Sequence, residues 1–425
     1  MNIKLTSGSM LQEIVLPDDH IAGFVRPNDS VGTDVYSDQM IIDSIDNPIG
    51  CKKLSERIHP NQSVAIVVDD ATRPTPTKRI LPLILSQLEA LGINKADTTI
   101  TIGTGLHRSP TEKEKENILG SHILNSYNVA DNEARNPEVF ALAGRISETT
   151  NIYLNRRVLD ADHVITIGMV KSHAFAGFTG GAKSILPAVA SQKTIHENHC
   201  FYNIEYPRGV LGSCEMSGTR KGMEAAARLV DPFIINVVLS GNGEIIFVAA
   251  GDVVKAHRKA VEIYSRSAMR TVPEEVDIAL VFGGHAGSVN FYQALFGCNV
   301  VKTTQKPILK KNGTVILFAE CREGSGSKLF EKMMPAFPTP EAILKHLSTE
   351  EVVDDQWAVQ FLATFIRDIN VFVVSTGLTE DLAEILHVRL FGNAEAAFDE
   401  AVKLAPSDYR VAIIENPDVL VVNKE

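Results

Sequence analysis

The stretch at residues 163–199, HVITIGMVKSHAFAGFTGGAKSILPAVASQKTIHENH, decides how this chain folds. Its apolar, β-branched run at 164–167 is too short for a buried helix and predicts a buried strand. The chain leaves that strand at Gly168, which puts Lys171, Ser172 and His173 at its carboxyl end, where open α/β sheets hold ligands. Gly177, Gly180 and Gly181 then form a loop carrying Lys183, and a helical pattern runs on to His196 and His199. Glycines after a strand also make plain turns, and histidines one turn apart also share a surface face. The stretch therefore gains its meaning from its neighbours.

Two earlier units repeat the pattern. The apolar run at 64–68 stops at Asp69-Asp70 and continues as ATRPTP, with Ile80, Leu81, Ile84, Leu85, Leu88 and Leu91 then at helical spacing and Gly92 as the stop. The strand expected at 98–102 runs into GTGLHR, followed by a helix start with Ser109 as cap and Pro110 at its first position. Strands alternating with helices predict a parallel sheet whose carboxyl ends share one edge. Asp70 with Arg73, His107 with Arg108, and His173 ahead of Lys183 then converge.

At 425 residues the chain is long enough for two or three domains. We read an N-terminal α/β domain over 1–270, a linker around Thr271 to Glu275, and a second α/β domain over 271–404. Residues 405–425 are expected to return to the first domain. Apolar content of 44% and charged content of 22% are those of a globular protein, and the net charge of -11 argues against a nucleic-acid partner. No export signal and no membrane-length apolar run is read, so a soluble protein is expected. Cys51, Cys200, Cys214, Cys298 and Cys321 form no CxxC pair, which fits neither a disulfide framework nor a thiolate zinc site and favours the cytoplasm.

A histidine, with a pKa of about 6.5, both accepts and gives a proton near neutrality. Two of them brought to one crevice suit a reaction with a base on each face of a planar intermediate. Arg73 suits a carboxylate or an oxyanion, Lys183 a covalent anchor or an anion ligand, and His199 a metal. A rival reading is an ATP-binding loop: GFTGGAKS has Ala182 where a P-loop requires glycine, and His173 intervenes between strand and loop.

DDATRP at 69–74, TGLHR at 104–108, KSHAFAGFTGGAKS at 171–184, ENH at 197–199, NFYQA at 290–294 and DQW at 355–357 together resemble the lactate racemase family of nickel-pincer-nucleotide enzymes. The resemblance implies two α/β domains with parallel-sheet character and an active-site cleft between them. It implies nickel and a pyridinium-3,5-bisthiocarboxylic acid mononucleotide held covalently on Lys183, with His199 on the metal and His107 and His173 exchanging the substrate hydroxyl proton. Asp70, Ala71, Thr72 and Arg73, together with Gly180 and Gly181 of the anchor loop, are the implied cofactor contacts, and Arg73 also faces the developing oxyanion. Gln293 is the implied substrate contact, Tyr292 and Trp357 line the pocket, and cofactor-synthesis proteins are the implied partners.

Three positions depart from the family pattern. Phe296 stands where lactate racemases place a carboxylate-binding lysine, Ala182 replaces an arginine, and Lys171 replaces a glutamate. The expected substrate is therefore a small-molecule 2-hydroxy acid other than lactate, or a sugar acid epimerised at one carbon. Lys171 and Arg108 are the candidates for holding its carboxylate.

Overall fold

A computed structural model of the chain describes residues 1–7, 9–26, 35–148, 150–415 and 419–424. The strands Val64–Asp69, Thr98–Gly103, Asn128–Asp131 and His163–Met169 pair in parallel, and Phe233–Leu239 joins in parallel beyond His163–Met169. Ile245–Asp252 closes that edge as the antiparallel arm of the hairpin turned at Ser240 to Gly243. Val64–Asp69 lies between Thr98–Gly103 and His163–Met169, so the strand order reverses beside it. A crevice opens at such a reversal. The three strands that carry the polar clusters are thus immediate neighbours.

The helix Thr77–Ala90 covers this sheet with Ile80, Leu81, Ile84, Leu85 and Leu88, all buried. Each such side chain contributes roughly 1.5–3 kcal/mol by leaving water. Gly92, at φ 84°, adopts the left-handed turn expected at the stop. The next helix begins later than predicted: it spans Glu112–Leu119 and is capped by Thr111, not Ser109. Thr111 and Glu114 form a reciprocal capping box, which satisfies two end groups where a serine cap would satisfy one.

A second sheet of six strands, all parallel, has the order Arg389–Phe391, Asn370–Val374, Leu309–Phe318, Val276–Phe282, Val411–Ile414, Ile21–Val25. Two expectations about boundaries change here. Val411–Ile414 does not return to the first domain; its four fully buried residues pair with Val276–Phe282 in the second. Ile21–Val25, placed by sequence order in the first domain, is the edge strand beside it, and the hairpin Asn2–Ser7 with Met10–Val15 belongs to the same side. The expected linker also carries a strand, since Met269–Val272 pairs in parallel with Leu420–Asn423. Both chain ends complete the second domain because a parallel sheet needs a crossover for each added strand, and distant segments supply it. Among the described residues no helix is long and apolar enough to cross a membrane.

Candidate active site

The Val64–Asp69 strand delivers two carboxylates to the sheet edge, and they have different fates. Asp69 turns inward, accepting from Thr75 Oγ1 at 2.6 Å and from the Met169 N–H at 3.2 Å; burial pushes its carboxyl above the ordinary value. Asp70 accepts from the Thr72 N–H and hydroxyl, and its Oδ2 lies 2.7 Å from His107 Nδ1. Burial alone would raise Asp70, but the bond and charge of His107, with Thr72, hold it below the ordinary value. Asp70 is therefore ionised, so His107 Nδ1 carries the hydrogen of that bond and Nε2 is the nitrogen turned away from the carboxylate. The His107 side chain is 53% exposed and opens on a hollow of about 370 Å³ lined also by Gly105, Asn132 and Arg135.

His173 has the opposite arrangement. The Ala176 N–H donates to its Nδ1 at 3.3 Å, which leaves the hydrogen of the neutral ring on Nε2. Burial first, then the positive charges of Lys183 and Arg73, push its pKa well below the ordinary value, so the ring is neutral. Each ring is thus fixed through Nδ1, and its Nε2 is left for a substrate.

Lys183 lies in the single 3-10 turn Gly181–Ser184. Burial and the charge of Arg73 lower its amine to about 7. An amine half neutral at such a pH is a nucleophile, which suits a covalent anchor. No long helix follows that turn, so the cradle of helix N–H groups that a P-loop requires is missing. Gly180 and Gly181 also meet a packing demand: at φ 73° and 58°, a Cβ on them would stand 2.9 Å from Asn236 Oδ1 and 2.6 Å from the His257 ring. The Gly181 N–H already donates to Asn236 at 2.8 Å.

His199 ends the helix Gln192–Asn198 and is 4% exposed. Its Nδ1 is buried without a hydrogen-bond partner, and burial with the Lys183 charge lowers its pKa to about 3. A neutral imidazole with an unpartnered nitrogen is the form that binds a metal, and leaving that nitrogen empty is costly. Among the described residues no group of three His, Cys, Asp or Glu could hold a metal ion. A metal here would take one ligand from His199 and the rest from a cofactor, so the residues fit the nickel-pincer group.

The second domain closes the site with aromatic rings. Trp357 packs edge-on to His199 with centroids 5.8 Å apart and donates from Nε1 to the Tyr292 hydroxyl at 3.1 Å. Burial, with Asp355, pushes the Tyr292 phenol up to about 12, so it keeps its proton. Phe296 lies edge-on to Tyr292 at 5.4 Å and to Phe361 at 5.8 Å; Phe361 stacks on Phe175 at 6.1 Å. Phe175 in turn touches both His173 at 4.6 Å and His199 at 5.1 Å. The wall is continuous.

The other expected residues lie nearer the surface. Arg108 is exposed and bound through both terminal nitrogens to Glu114, at 2.6 and 2.7 Å, because the capping carboxylate of the next helix sits beside it. Arg108 would hold a substrate carboxylate only in exchange for Glu114. Gln293 is exposed on the short helix Phe291–Leu295, and Ala71 and Thr72 form the exposed turn that leads to the partly buried Arg73. Lys171 is partly buried, with its backbone tied to Thr179. Sequence reasoning missed Phe175, Phe361 and Arg220. Phe175 stood inside the decisive stretch, but an aromatic residue between two histidines reads as core.

A two-domain α/β protein with two histidines, a desolvated lysine and a buried imidazole whose Nδ1 has no hydrogen-bond partner, faced by aromatic rings of the second domain, defines the class. Residues 8–211 match the lactate racemase N-terminal domain and residues 271–422 the lactate racemase C-terminal domain. The lactate racemase of Lactiplantibacillus plantarum is 31% identical over 412 residues, covering 95% of each chain. That of Thermoanaerobacterium thermosaccharolyticum is 28% identical over 433 residues, covering all of both. The solved lactate racemase apoprotein from the latter organism superposes with a TM-score of 0.91 at 27% identity over the whole of both chains. A Thermotoga maritima protein shares the fold, with a TM-score of 0.67 at 18% identity over 94% of this chain and 100% of its own. The chain belongs to the lactate racemase family.

Proposed function

We propose that this protein is a racemase or epimerase of a 2-hydroxy acid other than lactate, working with a nickel-pincer nucleotide bound covalently through Lys183. The carrying observation is that two histidines from neighbouring strand ends are each held through Nδ1, His107 by the Asp70 carboxylate and His173 by the Ala176 N–H, which leaves both Nε2 atoms for a substrate. When bound, the cofactor supplies the acceptor and donor of a hydride at the substrate carbon. His199 holds the nickel, and Asp70 through Arg73 contact the nucleotide. Asp70 orients His107 and stabilises the imidazolium it becomes on taking the hydroxyl proton. Arg73 stabilises the charge that develops on the substrate oxygen. The proton held by His107 goes back to the oxygen of the planar 2-oxo acid as hydride returns to its carbon, and return to the opposite face gives inversion; His173, neutral, is the base for the other enantiomer. Tyr292 and Trp357 line the cleft, Gln293 contacts the substrate, and the aromatic wall excludes water from the hydride step.

Phe296 sets selectivity. It offers apolar surface where a lysine would offer a charge, and Lys171 and Arg108 are the candidates for the carboxylate role. Phe296→Lys is expected to raise kcat/KM for lactate at least about tenfold over wild type, the effect of a charge-assisted hydrogen bond worth roughly 1.5–3 kcal/mol. It should lower turnover of larger apolar hydroxy acids. A competition assay over 2-hydroxy acids of increasing side-chain size reads this, and an unchanged ranking counts against the role of Phe296.

The overall reading is tested by intact mass and nickel analysis of protein co-expressed with a cofactor-synthesis system, followed by a racemisation screen over 2-hydroxy and sugar acids. An adduct on Lys183 with equimolar nickel is expected. Its absence under conditions that load a lactate racemase overturns the assignment.

A further inference from the structure

Asp354, one residue before the DQW motif, gathers three side chains from two separate parts of the first domain. Its Oδ2 accepts from Arg135 through Nε at 3.1 Å and a terminal nitrogen at 2.5 Å. Its Oδ1 accepts from Gln192 Nε2 at 3.1 Å and lies 2.7 Å from His196 Nε2. Four contacts fill one carboxylate.

Each partner leads to a functional residue. Arg135 also donates to the Leu106 carbonyl at 3.2 Å, one residue before His107. Gln192 and His196 belong to the helix Gln192–Asn198, which His199 terminates. On its own side, Asp354 directly precedes the helix Gln356–Asp368, which begins after Asp355 at φ 65° and carries Trp357 in contact with His199. The His107 loop, the His199 helix and the Trp357 helix thus meet at a single side chain. The surrounding ion pairs are half exposed, at 53% for Arg135 and 31% for Asp354, so they add little raw stability. Their value is geometric.

We infer that Asp354 is a positioning residue that docks the second domain on the first and sets His107, His199 and Trp357 in register. The docking stands on the contacts alone; its effect on turnover rests on the function proposed above. Remote positioning of this kind matters because reacting groups displaced by about 1 Å can cost on the order of a hundredfold in rate.

Trp357 is the only tryptophan in the chain, so its fluorescence reports the seam directly, even without cofactor. In the full cofactor-free chain, Asp354→Ala is expected to red-shift Trp357 emission. Acrylamide quenching of this 9%-exposed ring should rise at least about twofold, as local opening would produce. Asp354→Asn, which keeps an acceptor oxygen, should fall between alanine and wild type, and Arg135→Met should reproduce part of the effect. In the loaded enzyme, Asp354→Ala should lower kcat roughly tenfold to a hundredfold at unchanged nickel content, with partial rescue by Asp354→Asn.

Unchanged emission and quenching in a folded Asp354→Ala chain would sink the docking role. If that variant does not fold, Arg135→Met decides alone, since Arg135 is half exposed, and wild-type quenching there overturns the proposal. Altered quenching in a protein whose wild type takes up no cofactor leaves docking standing and removes the proposed function.

Discussion

Lys183→Ala is expected to yield a folded chain that carries no adduct and shows no racemisation under conditions that load the wild type. The amine is the only proposed covalent attachment, so the loss is complete. Stability should move the other way. In the cofactor-free wild type the folded state holds the amine at about 7, against the ordinary 10.5 of an unfolded chain. Between those values the unfolded chain binds a proton that the folded chain does not, so stability rises with pH across the window. Below it the folded state bears a desolvated ammonium, and that destabilisation is fully present. The alanine variant lacks the slope. Denaturation of both proteins from pH 6 to 10 should therefore show the variant's advantage greatest at the acid end and shrinking as pH rises. A wild-type amine titrating near 10.5 would leave the two curves parallel and remove the case for a nucleophilic Lys183.

Arg220→Met is expected to cost stability outright. Arg220 is fully buried on the helix Gly218–Ala227 and makes no ion pair among the described residues. Its Nε donates to the Ala176 carbonyl at 3.1 Å, one terminal nitrogen donates to Gly180 at 3.1 Å, and the other donates to Phe178. The guanidinium is thus the internal support of the loop between His173 and Lys183. Methionine fills similar volume but removes three hydrogen bonds from a charged donor, worth roughly 1.5–3 kcal/mol each, and leaves the Ala176 and Gly180 carbonyls only the N–H groups of Phe178 at 2.8 Å and Lys183 at 3.2 Å. A loss of about 3 kcal/mol or more should appear in the urea midpoint, together with slower adduct formation as the loop loosens. A midpoint within about 1 kcal/mol of wild type would mean that water or backbone shifts replace the guanidinium.

Both predictions concern the same loop, and they differ in how visible their residues are in the chain. Lys183 follows a glycine-rich run at a strand end, which is a local signal. Arg220 lies in SGTRKG, where a charged residue on a short helix reads as surface. Only packing reveals that it points inward.

The alternation of apolar runs with helical spacing was enough to predict the parallel sheets and to bring Asp70, His107 and His173 to one edge, because strand direction alone decides which residues share an edge. The six motifs were enough to identify the family. Local patterns could not decide which sheet receives a distant strand: Val411–Ile414 and Ile21–Val25 are short, apolar and compatible with either, and their place follows from neighbours far away in sequence. Nor could they show that Arg108 is consumed by Glu114, that Gly180 and Gly181 serve packing, or that Asp354 joins three segments. Chemical identity belongs to the residue and can be read along the chain. Partnership, burial and the proton positions they impose on His107, His173, Lys183 and His199 come from atoms that only the tertiary structure brings within reach.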